Sequence, residues 1–171
     1  MSDVTNADRN FILQQGFEAP PDLPSCAPVS SALLFQPRIV GLTVLAGTIA
    51  RSPAVFAVLA VALWWSALLP QWNPFDFAYN RTLGRRPGAP ALGHAPVPRR
   101  FAQGMAATFA TVIATTMASG HWVTTWILQG MFLLAVAALI FGRFCLGSLV
   151  YQLVRGRVTF AMATLPWSRG T

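Results

Sequence analysis

The chain has no lysine and few acids: its 12 basic residues are all arginine, and only five carboxylates accompany them in 171 residues. It also has only two cysteines and two histidines. Asp3, Asp8, Glu18 and Asp22 all precede residue 23, which leaves Asp76 as the lone acid of the remaining chain. No carboxylate pair is therefore available for acid–base catalysis, and the apolar part has essentially no acid to carry protons. His94 and His121 stand apart from each other and from Cys26 and Cys145, so no metal site is expected. No Ser/His/Asp constellation or glycine-rich phosphate loop is present, so no catalytic residue is assigned. Cys26 falls in a polar segment and Cys145 in an apolar one, which argues against a structural disulfide. Residues 1–10 lack the basic and apolar regions of a cleavable signal. Leu23-Pro24-Ser25-Cys26 has a lipoprotein-like look, but no apolar run precedes it, and that reading is rejected.

Charge is scarce overall. Charged residues make up 10% of the chain and apolar ones 54%, whereas soluble domains average roughly 25% charged. Such a chain belongs in a membrane. The sequence pI near 11.3 would otherwise suggest nucleic acid. Here the arginines flank apolar runs without forming a basic face, so topology and anionic headgroups account for them, and no nucleic acid partner is expected.

Their placement gives an orientation. Arg81, Arg85, Arg86, Arg99 and Arg100 lie between the second and third apolar runs, and Arg155, Arg157 and Arg169 follow the fourth. The opposite links hold only Arg51 and His121. By the positive-inside rule, both termini and the central loop are cytoplasmic, in a bacterial inner membrane.

The runs divide the chain into an acidic arm (1–30), a first transmembrane hairpin (31–72), a Pro/Arg-rich loop (73–100), a second hairpin (101–154) and a basic tail (155–171). Within the arm, Phe11-Ile12-Leu13 suits one apolar-faced turn, and the prolines from Pro20 to Pro24 impose extended backbone. Alone, the arm reads as disordered, and a partner outside the bilayer would order it. The first apolar run, 39–50, is short: about 14 helical residues give ~21 Å against a ~30 Å core. Leu33-Leu34-Phe35 extend it if the chain bends at Pro37. The second run, 54–69, ends in the interfacial aromatics Trp64, Trp65 and Trp72. The fourth, from Trp122, reaches ~50 Å if continuous to Val154, so it must tilt, kink near Gly142 or Gly147, or leave the bilayer. The expected fold is all-α and integral to the membrane, with four transmembrane helices in two hairpins. Their shared plan is compatible with an internal duplication.

Ala102, Ala106, Ala110, Ala114 and Ala118 form a small-residue stripe suited to close helix packing, and Gln129 lies at the depth of Thr111, within reach of a hydrogen bond. Arg143 is the one charge inside an apolar run. It either serves a function there or reaches the headgroups, and the second reading is preferred. His121 is a weak cofactor candidate for haem or pigment, read in preference as an interfacial histidine.

Three motifs carry a resemblance: Arg100-Phe101-Ala102-Gln103-Gly104, Trp126-Ile127-Leu128, and Phe144-Cys145-Leu146-Gly147-Ser148. Together they resemble the bacterial membrane family called domain of unknown function 4395, over roughly residues 95–155 and more loosely over the first hairpin. The resemblance implies a fold and no settled activity. The family typically shows a C-x-x-C spacing at the last motif. Here Ser148 stands in place of the second cysteine, and Arg143 stands where the family usually has an apolar residue.

The leading expectation is a non-catalytic accessory subunit that stabilises a larger membrane complex, with energy-transducing ones, photosynthetic or respiratory, as the candidates. Other membrane subunits and lipids are its expected partners, through Phe11, Ile12, Leu13, Arg85, Arg86 and Arg143. No cofactor is expected beyond bound lipids. The alternatives are a thiol-dependent redox protein using Cys145 and a small transporter.

Overall fold

The computed structural model describes the backbone of residues 2–168. Arg169 and the side chain of Asp3 lie outside the described residues. Among the described residues the regular elements are all helices, with no strand. Helices α1 (Ser2–Gln14), α2 (Cys26–Leu33) and α3 (Phe35–Ile49) precede α4 (Pro53–Leu68) and α5 (Pro74–Arg81). The long helices α6 (Val97–Ala118) and α7 (Trp122–Gly142) follow, then α8 (Leu146–Val154) and α9 (Val158–Ala163).

Three helical stretches are long and apolar enough to cross a membrane: Cys26–Ile49, Val97–Ala118 and Trp122–Gly142. The first is longer than the sequence suggested. Pro37 is the third residue of α3, where its missing N–H breaks no intrahelical bond, so α2 and α3 run on with only a local irregularity at Leu34. The short member is instead Pro53–Leu68, about 24 Å of helix. Arg100 Nε donates to the carbonyl of Ala67 at 2.9 Å, satisfying one of the free acceptors at the α4 C-terminus.

Two apolar cores are present. One joins Val44, Phe56, Leu63, Ala107, Ala110, Ile113 and Phe132, the facing sides of α3, α4, α6 and α7. Gly41 permits the α3–α7 approach, since a Cβ there would lie 2.9 Å from Val136. The links α3–α4 and α6–α7 share one end of the bundle, where the Arg51 guanidinium lies over the Trp126 ring.

The second core lies at the other end. It joins Phe11 and Ile12 with Cys26, Leu33, Leu34, Tyr79, Leu92 and Cys145. The N-terminal arm therefore packs on the chain itself instead of forming a loose tail. It is a 13-residue helix whose Phe11 and Ile12 are fully buried against the chain's own helices. Asn10 holds it to the C-terminal segment, with Nδ2 donating to the carbonyls of Leu165 at 2.9 Å and Ser168 at 3.0 Å. The central loop likewise folds into this cap through α5. Burial of apolar side chains, at about 25 cal/mol per Å², drives the cap together, whereas helices within a bilayer associate through close packing and polar contacts.

The fourth apolar run breaks where its length required. Helix α7 ends at Gly142, Arg143 takes the left-handed conformation with φ 53°, and α8 restarts at Leu146. Helix α8 then crosses α6 at Gly147, where a Cβ would fall 2.7 Å from the Ala102 Cα.

Candidate functional site

Polar groups are concentrated between the two cores. The chain of bonds begins on α4, where Ser66 Oγ donates to Asn73 Oδ1 at 3.1 Å. Asn73 caps α5 by accepting the Phe75 N–H at 3.0 Å, and its Nδ2 donates to Asp76 Oδ2 at 2.8 Å. Arg99, at the start of α6, donates through Nη2 to Asp76 Oδ1 at 2.7 Å and through Nη1 to Oδ2 at 3.3 Å. Its Nη2 also donates to Gln36 Oε1 on α3 at 3.1 Å, and Gln103 Nε2 donates to the same oxygen at 2.8 Å. The Phe17 ring stands 5.7 Å from the Arg99 guanidinium and covers it.

This cluster joins α3, α4, α5 and α6 through one buried ion pair. The side chains of Arg99 and Asp76 are only 4% and 9% exposed. A bidentate pair with further hydrogen bonds is the geometry in which a buried charge is tolerated.

A second buried pair ties the arm to the α7–α8 break. Asp8 is buried and paired with Arg143, and Ser30 on α2 bonds both, donating to Asp8 Oδ1 at 2.6 Å. Arg143 therefore has a buried protein carboxylate as its partner. Its left-handed backbone turns the side chain back to the arm. Gln14, also on the arm, accepts the backbone N–H of Cys145 at 2.9 Å.

Cys145 is the residue preceding α8 and is buried. Burial pushes its thiol pKa up, and this outweighs the opposing pull of the Ser148 hydroxyl, the first amides of α8 and the Arg99 charge. Ser148 is fully buried beside it, its hydroxyl directed to the Pro98 carbonyl at 3.4 Å. Cys145 and Cys26 are both free thiols.

Cys145 also lines two adjoining cavities. One, of about 80 Å³, is bounded by Gln15, Gln36, Arg99 and Gln103 on its polar side. The other, of about 150 Å³, lies between α6, α7 and the start of α8 and includes Met105, Phe109 and Met131.

The remaining residues singled out from sequence are dispersed. Ala110 is fully buried in the core and Ala114 partly so, while Ala118 is exposed. Ala102 and Ala106 line the cavities. The expected Gln129–Thr111 bond is absent: Thr111 Oγ1 donates to the Ala107 carbonyl and accepts from Trp64 Nε1 at 3.2 Å. Gln129 is buried with its Nε2 unpartnered. Equal depth did not put the two side chains on facing sides of their helices. His121 is exposed in the α6–α7 link, its Nδ1 2.9 Å from Ser119 Oγ. Among the described residues no group of three or more His, Cys, Asp or Glu side chains is placed to hold a metal. Arg85 and Arg86 are exposed. Leu13 is half-buried on α1.

Sequence reasoning missed Gln36, Asp76, Arg99 and Gln103 as a unit. One signal was available: Asp76 is the lone acid beyond residue 22, and a lone acid near apolar runs needs a cation.

A family model described as domain of unknown function (DUF4395) matches residues 31–156. The chain belongs to that family. No curated protein and no solved structure matches it.

Proposed function

We propose that this chain is a non-catalytic subunit that stabilises a larger membrane complex in a bacterial inner membrane. One observation carries the reading: the groups with chemical potential are occupied within the chain. Asp76 is taken up by Arg99 and Asp8 by Arg143. Cys145 is buried beside a serine, with burial holding it in the thiol form. The outer faces of α4 and α7 are apolar, with Val58, Val61 and Leu68 on α4 and Val123, Ile127, Leu134 and Phe141 on α7 exposed. Those faces suit lipid and neighbouring transmembrane helices.

In this reading α4 is a fourth crossing. Its 16 residues are completed by the turn Pro70–Trp72 and by the aromatics Trp65 and Trp72 at the interface. Two hairpins then place both termini and the cap on the cytoplasmic side, with Arg51 and His121 outside. The duplicated plan of the hairpins is part of the same proposal.

The test is extraction in mild detergent followed by native electrophoresis and mass spectrometry of the co-migrating chains. A stoichiometric assembly with other membrane subunits is expected. A lone monomer at every detergent strength tried would end this reading. Cysteines placed singly at Ser119 and Gly88 fix the orientation: the first should react with an impermeant maleimide in intact cells and the second only after lysis.

A second reading rests on the position of Cys145, which faces the cavities despite its burial. It is thiol-dependent redox chemistry with a resolving thiol from a partner. Unchanged function in Cys145→Ala removes it.

A further inference from the structure

The polar cavity contains one side-chain atom whose orientation is fixed and whose hydrogen bond is unmade. Arginine can only donate, so Gln36 must turn its oxygen toward Arg99. That same oxygen accepts from Gln103, which must therefore offer its nitrogen. The usual ambiguity between the two ends of an amide is removed by this sequence of donors. Gln103 Oε1 is consequently turned the other way, buried and without a partner. Gln103 is 5% exposed, and a buried carbonyl left unsatisfied costs about 1–3 kcal/mol.

The surroundings specify what would satisfy it. The missing group is a hydrogen-bond donor. The Arg99 charge is already matched by Asp76 through two bonds, so no net positive charge remains for a phosphate or carboxylate. The polar chamber adjoins the apolar one through shared walls of Ala102, Ala106, Phe132, Val136, Leu139 and Cys145. At the far side of the apolar chamber are Met131, 52% exposed, and Leu146, 45% exposed, on the outer surface of the bundle. A methionine-bordered opening adapts readily to a flexible chain.

We propose that these joined cavities bind an uncharged amphiphile with a hydroxyl head. The hydroxyl donates to Gln103 Oε1 beside Arg99 and Gln36. The hydrocarbon chain runs past Cys145 and Phe132 and leaves between α6 and α7 into the bilayer. The small side chains Ala102 and Ala106 keep the passage open, so two positions of the alanine stripe serve the ligand as well as the helix crossing.

The test uses the full chain, purified in a detergent without free hydroxyls, with monooleoylglycerol as the probe. Native mass spectrometry should show one retained monooleoylglycerol. Methyl oleate, which has the same chain and no donor, should be retained at least tenfold less, as should the anion oleate. Gln103→Leu should lower monooleoylglycerol retention at least tenfold. Ala135→Phe, which fills the apolar chamber without touching the polar cluster, should do the same and guards against misfolding of the first variant. An independent readout is alkylation of Cys145 by N-ethylmaleimide in a Cys26→Ala background, which the probe should slow severalfold. Equal retention of monooleoylglycerol and methyl oleate would show apolar adsorption only and overturn the proposal. So would preference for oleate, or unaltered alkylation of Cys145 at saturating probe.

Discussion

Replacing Asp76 with alanine should destabilise the fold more than any other single change to a polar residue outside the arm. The carboxylate takes two hydrogen bonds from Arg99 and one from Asn73 Nδ2. The guanidinium is 4% exposed in its side chain and covered by Phe17. Without Asp76 it retains only Gln36 as an acceptor among its described partners. Removing one partner of a buried pair leaves an uncompensated charge and costs about 3–5 kcal/mol. Replacing both partners by apolar residues removes the uncompensated charge as well. The double variant Asp76→Leu/Arg99→Leu should therefore recover most of the loss, giving a coupling energy of about 2 kcal/mol or more in the double-mutant cycle. The assay is reversible unfolding in mixed micelles, followed by tryptophan fluorescence and by exposure of Cys145 to a maleimide. A loss below about 1 kcal/mol for Asp76→Ala, or a double variant as unstable as the sum of the singles, would refute the assignment of this pair as the buried tie between α5 and α6.

Three further outcomes follow from the same geometry. Arg143→Gly relieves a left-handed backbone strain of about 1–2 kcal/mol but strips buried Asp8 of its cation. It should release the arm, read as protease cleavage near residue 20 that the parent resists. Gly147→Val pushes a side chain into the Ala102 backbone, with even the first carbon 2.7 Å away, and should cost about 1–3 kcal/mol in unfolding assays. Cys145 should react with a small maleimide more slowly than an exposed cysteine, with a rate still rising above pH 9, because burial raises its pKa from an ordinary 9.0. The linkage has a definite sign. The folded state holds this proton more tightly than the unfolded state, so the contribution is present below pH 9 and stability falls as pH rises beyond it. Cys145→Ala should flatten that alkaline decline.

The arginine pattern and apolar runs were enough to indicate a helical membrane protein, and the three motifs at Arg100, Trp126 and Phe144 were enough to indicate the family. An interruption near Gly142 was one of the readings the sequence left open, beside a tilt, a kink at Gly147 or an exit from the bilayer, because a single helix to Val154 is too long to cross upright. The lengths of the first two helices were not legible. Proline at the third position of a helix leaves the hydrogen-bond ladder intact, so Pro37 did not stop α3 as a run-by-run reading suggests. The arm was misread for a similar reason. Its helix is mostly polar, and only Phe11 and Ile12 signal that it has a core to join.

Sequence by itself pointed to the solvent: too little charge for water, and apolar stretches of membrane length. These follow from composition and order along the chain, because transfer into lipid is nearly a sum over residues. Tertiary structure alone decided which polar groups meet. Asp8 and Arg143 are far apart in sequence yet paired, as are Asp76 and Arg99, and Gln36 with Gln103. Hydrogen bonds and ion pairs require facing directions within a few tenths of an ångström, and no pattern along the chain encodes that. The unpartnered carbonyl beside Arg99, Gln103 Oε1, became visible only when every donor around it had been placed.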